Sequence, residues 1–185
     1  EAIKLFGYAK TIKMEDEFAE CRAPLPSGRI KFNEVAGLEA VKRQLQINYV
    51  YPTIYKMLFP AIAKGILFYG PPGTGKTMLA KAATAEIPGA AFYAPTPGEI
   101  KGKYVGETEK NIRTVFGCAA QRVKESRSTK FAVIFFDEFD SLGGKRGDDP
   151  NMTNSVNALL QAMDGLSSSA DVSVIAATNY PKKLD

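Results

Sequence analysis

The chain has 185 residues, 45% of them hydrophobic and 24% charged, with a net charge of +4. These values fit a soluble globular domain with a full core, and no run of about 18 apolar residues offers a membrane span. Histidine is absent, which excludes His-dependent zinc sites and catalytic triads from this stretch.

The first residue is Glu1 and no charged-then-apolar leader follows, so a fragment without a signal peptide is expected. Residues 1–31 show weak periodicity and then Pro24, Pro26 and Gly28; they read as a linker or N-terminal extension with room for a short helix. Cys21 and Cys118 stand far apart without metal-type spacing. Two lone thiols suit a reducing compartment, the cytoplasm or the nucleus. Leu38, Val41, Leu45 and Tyr49 recur at helical spacing and predict one buried face over 38–49. Pro52 ends that pattern, and Pro60 precedes the first strand.

Ile66–Tyr69 is a short apolar run that reads as a buried strand. It enters Gly70-Pro71-Pro72-Gly73-Thr74-Gly75-Lys76-Thr77, the G-x-x-x-x-G-K-[ST] phosphate-binding pattern. Triphosphate oxygens need several converging backbone N–H donors, so the chain must curl tightly around them, which the glycines permit. Lys76 reaches the β- and γ-phosphates as a mobile point charge, and the Thr77 hydroxyl suits Mg²⁺. Met78–Glu86, rich in Ala and Leu, predicts a helix whose N-terminus adds attraction for the anion. ATP with Mg²⁺ is the expected ligand.

Gly89 breaks the chain before a second strand at Ala91–Ala94, and Pro95, Pro97 and Gly98 mark a loop. A long helix is expected after Gly106, with Ile112, Val115, Phe116, Ala119 and Val123 on one face. Residues 124–130 read as a polar loop. Phe131–Phe136 is a continuous apolar run typical of a central parallel strand. Residues 141–150, with three glycines and Pro150, form a loop. Val156, Leu159, Leu160 and Met163 then repeat at helical spacing up to Gly165, and Val172–Ala177 is the last strand. Alternating strands and helices predict an α/β three-layer αβα sandwich on a parallel sheet, with ligand at the carboxyl ends of the strands.

That edge gathers a second set of groups. Asp137 and Glu138 follow the apolar run directly; the first can hold Mg²⁺ through water, and the second can polarise an attacking water as a general base. Ala176-Ala177-Thr178-Asn179 ends the last strand, and the Asn179 amide can bond the γ-phosphate or the water. Lys76, Glu138 and Asn179 are therefore the catalytic candidates.

Taken together, these sites resemble the AAA+ ATPases, in particular the protein-remodelling AAA group that includes katanin- and spastin-like, membrane-complex-disassembling and proteasomal ATPases. The likeness runs from Phe32 to Asp185, a truncated large subdomain of the phosphate-loop NTPase fold. Phe32–Leu38 is similar to the segment that cups adenine, which brings Ala36 and Gly37, with Met78 beside the loop, into the expected nucleotide site. Phe135–Asp140 is similar to the family's acidic strand end, with Phe139 where Ile is commoner, and Asn157–Gly165 to the helix that follows. Lys103, Tyr104 and Val105 resemble the first pore loop, whose aromatic grips a threaded polypeptide. The resemblance implies a homo- or hetero-hexameric ring acting on polypeptides, with adaptors left unnamed and nucleic acid not expected. It also places the arginine fingers, fifth strand and helical lid beyond Asp185, so that residues 1–185 alone would hydrolyse ATP slowly.

Two other readings stand beside this one: a structural module that binds ATP with little turnover, and a nucleic-acid motor or loader. Lys76 together with Glu138 favours turnover over the first, and the Lys103–Val105 loop favours protein over the second. No guanine-reading Asn-Lys-x-Asp string appears, which argues against a GTPase.

Overall fold

In a computed structural model, Pro24 and residues 30–59, 63–102, 104, 106–142, 150–165 and 171–184 are described. The expected linker over 1–31, Pro60 and the glycines of the 143–149 loop lie almost wholly outside them.

Four parallel strands form the sheet: β1 (Gly65–Tyr69), β2 (Ala90–Tyr93), β3 (Phe131–Phe136) and β4 (Val172–Thr178), in the order β1-β4-β3-β2. The helices are α1 (Glu39–Leu45), α2 (Tyr51–Ile54), α3 (Lys76–Ala85), α4 (Pro97–Ile100), α5 (Glu107–Glu125) and α6 (Pro150–Gly165). Strand β3 is buried along its whole length, as an interior strand covered on both faces must be. Its residues alternate between two cores. Phe131, Val133 and Phe135 pack with α1 and α3, whereas Ala132, Ile134 and Phe136 pack with α5 and α6. This is the αβα sandwich. Each fully buried phenylalanine contributes about 1.5–3 kcal/mol of transfer free energy.

Helix α3 lies close on the sheet because Ala80, Ala82 and Ala83, all fully buried, present only methyl groups. The opening turn at Phe32–Glu34 is held against it: the Phe32 N–H donates to Glu86 Oε1 at 3.0 Å. Buried Lys42 completes the anchor, its Nζ donating to Val35 O at 2.8 Å, Phe32 O at 3.3 Å and Glu39 Oε1 at 2.6 Å. The Tyr49 hydroxyl bonds Ser173 on β4, and burial pushes its pKa far up.

Several expectations need correcting. Pro52 does not end the first helical segment. The chain widens into a π-helix over Gln46–Val50 and continues as α2, so Pro52 falls where the hydrogen-bond pattern already changes, with the Tyr51 N–H bonded to Gln46 O. Of the predicted apolar face, Leu45 and Tyr49 are buried but Leu38 and Val41 are exposed. Among the described residues strand β1 pairs with β4; of its apolar run Phe68 is buried, while Leu67 and Tyr69 are exposed. Leu160 is likewise exposed on α6. The Pro97 region is not a plain loop: Thr96 and Glu99 cap α4, with Glu99 Oε2 accepting from the Thr96 N–H at 2.7 Å. Lys124 and Glu125 belong to α5, which shortens the polar loop to 126–130. Cys118 is disulfide-bonded, so the reading of two lone thiols does not hold; Cys21 lies outside the described residues.

Candidate functional site

Three segments meet at the carboxyl edge of the sheet. The loop 70–75 leaves β1 and enters α3 through Gly75, which is left-handed at φ +83. Gly73 is also left-handed, at φ +77, and a Cβ there would meet no protein atom within 4 Å. The loop therefore curls around open space lined by its own backbone, the shape an anion-binding nest needs. Lys76 Nζ donates to Gly70 O at 2.9 Å and Pro71 O at 2.7 Å, so the ammonium sits inside the curl.

The second segment is the end of β3. Thr77 Oγ1 donates to Asp137 Oδ2 at 2.8 Å, across 60 residues of sequence. The other carboxylate oxygen, Oδ1, accepts the Glu138 N–H at 2.9 Å. Thr77 and Asp137 thus present adjacent hard oxygen donors. This set fits Mg²⁺, which takes few protein ligands and keeps several waters. Glu138 is exposed and left-handed at φ +49. A non-glycine residue there costs about 1–2 kcal/mol, so the turn must be held by its surroundings.

The third segment is the tip of β4. Register pairs Phe136 with Ala176 and Tyr69 with Thr178, so the three strand ends lie side by side. Asn179 follows directly, and its Oδ1 is buried without a protein partner. An amide oxygen left so, beside the phosphate loop and the acidic turn, fits a site built for a further polar group.

A cavity of about 630 Å³ opens beside the loop. Its walls include Leu38, Val41, Gln44 and Asn48 from the first helical segment, Tyr69 from β1, and Gly70, Pro71, Thr74 and Lys76 from the loop. That is an apolar cleft leading to a cationic, N–H-lined end, the chemistry of a base-plus-phosphate ligand. Ala36 and Gly37 are exposed next to Leu38 and do not line it. Gln44 and Asn48 went unrecognised in the sequence, although Val41, Gln44 and Asn48 fall at i, i+3 and i+7. The apolar Leu38, Val41, Leu45 and Tyr49 dominate this stretch, so its periodicity signals a core face and hides the two amides.

Tyr104 is 75% exposed, while Lys103 and Val105 lie outside the described residues. The loop carrying it is bonded to the start of α5. The Tyr104 N–H donates to Glu107 Oε2 at 3.1 Å, and the Gly102 N–H to Thr108 Oγ1 at 3.0 Å. The backbone is tethered while the ring projects outward.

Residues 66–185 match the ATPase family associated with various cellular activities (AAA). Among curated proteins, the chain is 44% identical over 164 residues to protein SAV of Sulfolobus acidocaldarius, covering 85% of the chain and 20% of that protein. It is 34% identical to the mitochondrial inner membrane i-AAA protease supercomplex subunit YME1 of Saccharomyces cerevisiae, covering 100% and 24%. It is 39% identical to the peroxisomal ATPase PEX6 of Eremothecium gossypii, covering 94% and 17%. The chain thus spans about a fifth of the length of these relatives. Among solved structures it superposes on the FIGL-1 AAA domain in complex with ADP with a TM-score of 0.72 and 31% identity, over 92% of the chain and 56% of the other.

If Val41 lines a nucleotide cleft and is not core, Val41→Asp should leave the melting temperature nearly unchanged. It should weaken binding of a fluorescent adenine nucleotide by about tenfold, or ~1.4 kcal/mol. A large drop in melting temperature with unchanged affinity would return Val41 to the core.

Proposed function

The chain belongs to the ATPase family associated with various cellular activities, and on that premise we propose that it is the nucleotide-binding module of an ATP-driven protein remodeller working as a ring hexamer. The observation that carries this reading is the Thr77–Asp137 hydrogen bond, which joins the phosphate loop to the acidic end of β3 at one edge of the sheet. A phosphate loop alone would support binding. The acidic turn bonded to it, with Asn179 alongside, supports hydrolysis.

In this reading residues 32–185 form the large subdomain of the motor and 1–31 a linker. Gly70, Pro71, Pro72, Gly73, Thr74, Gly75 and Met78 cradle the phosphates, and Lys76 neutralises the β- and γ-oxygens. Ala36 and Gly37, exposed beside Leu38, would reach the adenine only once the nucleotide is bound. Thr77 and Asp137 would hold Mg²⁺, which when bound neutralises charge on the phosphate oxygens. Glu138 accepts a proton from the water attacking the γ-phosphorus as the bond to the ADP oxygen breaks, and Asn179 orients that water or the γ-phosphate.

A polypeptide substrate is supported by Tyr104, an exposed aromatic on a tethered loop, packed into neither core and far from the nucleotide cleft in sequence. The relatives include peroxisomal and mitochondrial proteins. No helix among the described residues is long and apolar enough to cross a membrane. The cytoplasmic or nuclear location expected from free thiols loses that support with Cys118 disulfide-bonded, and fractionation of the full-length protein would test it.

Glu138→Gln keeps size and polarity but removes the base. In the full-length protein it should bind ATP normally while turnover falls by ~10²-fold or more. Turnover near wild type would remove Glu138 from that role.

Tyr104→Ala should leave folding and ATP binding intact, because the ring contributes to neither core, and should abolish unfolding of a tagged protein substrate. Undiminished unfolding by that variant would count against threading past this loop.

A further inference from the structure

The turn after β3 and the tip of β4 are joined by one buried hydroxyl. Thr178, 1% exposed, donates from Oγ1 to Asp140 Oδ1 at 2.7 Å and accepts the Tyr180 N–H at 2.9 Å. The same oxygen therefore spans Asn179, fixing the backbone on both sides of it. Asp140 sits in the 3-10 turn Phe139–Ser141, which is closed by the Ser141 N–H donating to Glu138 O at 2.8 Å. Glu138 leads that turn in a left-handed conformation, which a non-glycine residue keeps only where its surroundings over-determine it. Among the described residues the Asp140 carboxylate bonds Thr178 and not the phosphate loop.

We propose that Asp140 is a positioning residue: its hydrogen bond with Thr178 locks the Glu138 turn to the Asn179 strand tip, so that both side chains face one ligand in a fixed relation. The inference rests on the reading of Glu138 and Asn179 as the hydrolytic pair. Thr178 contributes twice. It supplies the proton that holds the acidic turn, and it accepts the N–H that sets the direction of the chain after Asn179. A partly buried, charge-assisted bond of this length is among the stronger kinds and leaves little slack between the two segments.

The test is single-turnover hydrolysis and ATP affinity in the full-length protein, with four single variants and one double. Thr178→Val and Asp140→Ala break the bond; each should slow the chemical step by about 10- to 100-fold, the scale of a small misplacement, with ATP affinity changed by no more than about twofold. Thr178→Ser keeps the hydroxyl and Asp140→Asn keeps an acceptor oxygen, so both should retain most of the rate. Asp140→Ala with Thr178→Val should be no slower than the worse single variant, because both remove one interaction. Additive losses, equal losses in the conservative variants, or affinity falling in step with rate would overturn the proposal.

Amide hydrogen exchange without nucleotide separates this inference from the function it rests on. Thr178→Val should speed exchange in residues 138–142, although Asp140 lies 38 positions away in sequence. Unchanged exchange there overturns the lock whatever the rates show. Should Glu138→Gln hydrolyse ATP normally, the hydrolytic reading fails, and with it the catalytic purpose of the lock; faster exchange in Thr178→Val would then support only the mechanical coupling.

Discussion

The site depends on the hydrogen bond between Thr77 and Asp137. Everything on the phosphate side is carried by α3, and everything on the acidic side by β3. These two elements belong to different parts of the chain, and the bond sets their distance. Its two ends are rigid for separate reasons. Asp137 follows six consecutive buried residues, so β3 cannot slide without exposing its phenylalanines. Thr77 stands in the first turn of a helix whose alanines let it lie close on the sheet. The relation of loop to acid is thus a consequence of core packing.

From that constraint the remaining groups follow by register. Parallel pairing of β3 with β4 and of β4 with β1 brings Glu138, Asn179 and the phosphate loop to one edge. The cleft beside the loop has a different origin. Its far wall is the first helical segment, kept in place by Lys42 bonding back to the opening turn and by Tyr49 bonding β4. Removing the Lys42 ammonium would strand the Val35 carbonyl, at roughly 1–3 kcal/mol if left unpaired, while the Phe32 carbonyl keeps the Val35 N–H. The wall is held by buried polar bonds and leaves Leu38 and Val41 facing the cavity.

The sequence made the strands legible because they are short, apolar and punctuated by glycine, proline or a known loop. The phosphate loop and the acidic pair were legible for a chemical reason: few other residue orders give those donor sets. What it concealed depends on partners distant in sequence. Periodicity placed Leu38 and Val41 on the same face as Leu45 and Tyr49, but whether a face meets a core or a cleft depends on what lies opposite. The π-helix at Gln46–Val50 let Pro52 sit inside a helical run, a local change of period that hydrophobic spacing does not encode. The Thr178–Asp140 bond joins a strand tip to a turn 38 residues earlier, and neither residue type signals it alone.

The function proposed for this edge of the sheet is binding of ATP together with Mg²⁺. The most direct measurement is calorimetric titration of ATP into the wild-type protein and into Lys76→Ala, with Mg²⁺ and then with chelator. Binding should be tight with Mg²⁺, weaker without it, and reduced by about tenfold or more in the variant. Equal affinity for wild type and variant, indifferent to Mg²⁺, would contradict it.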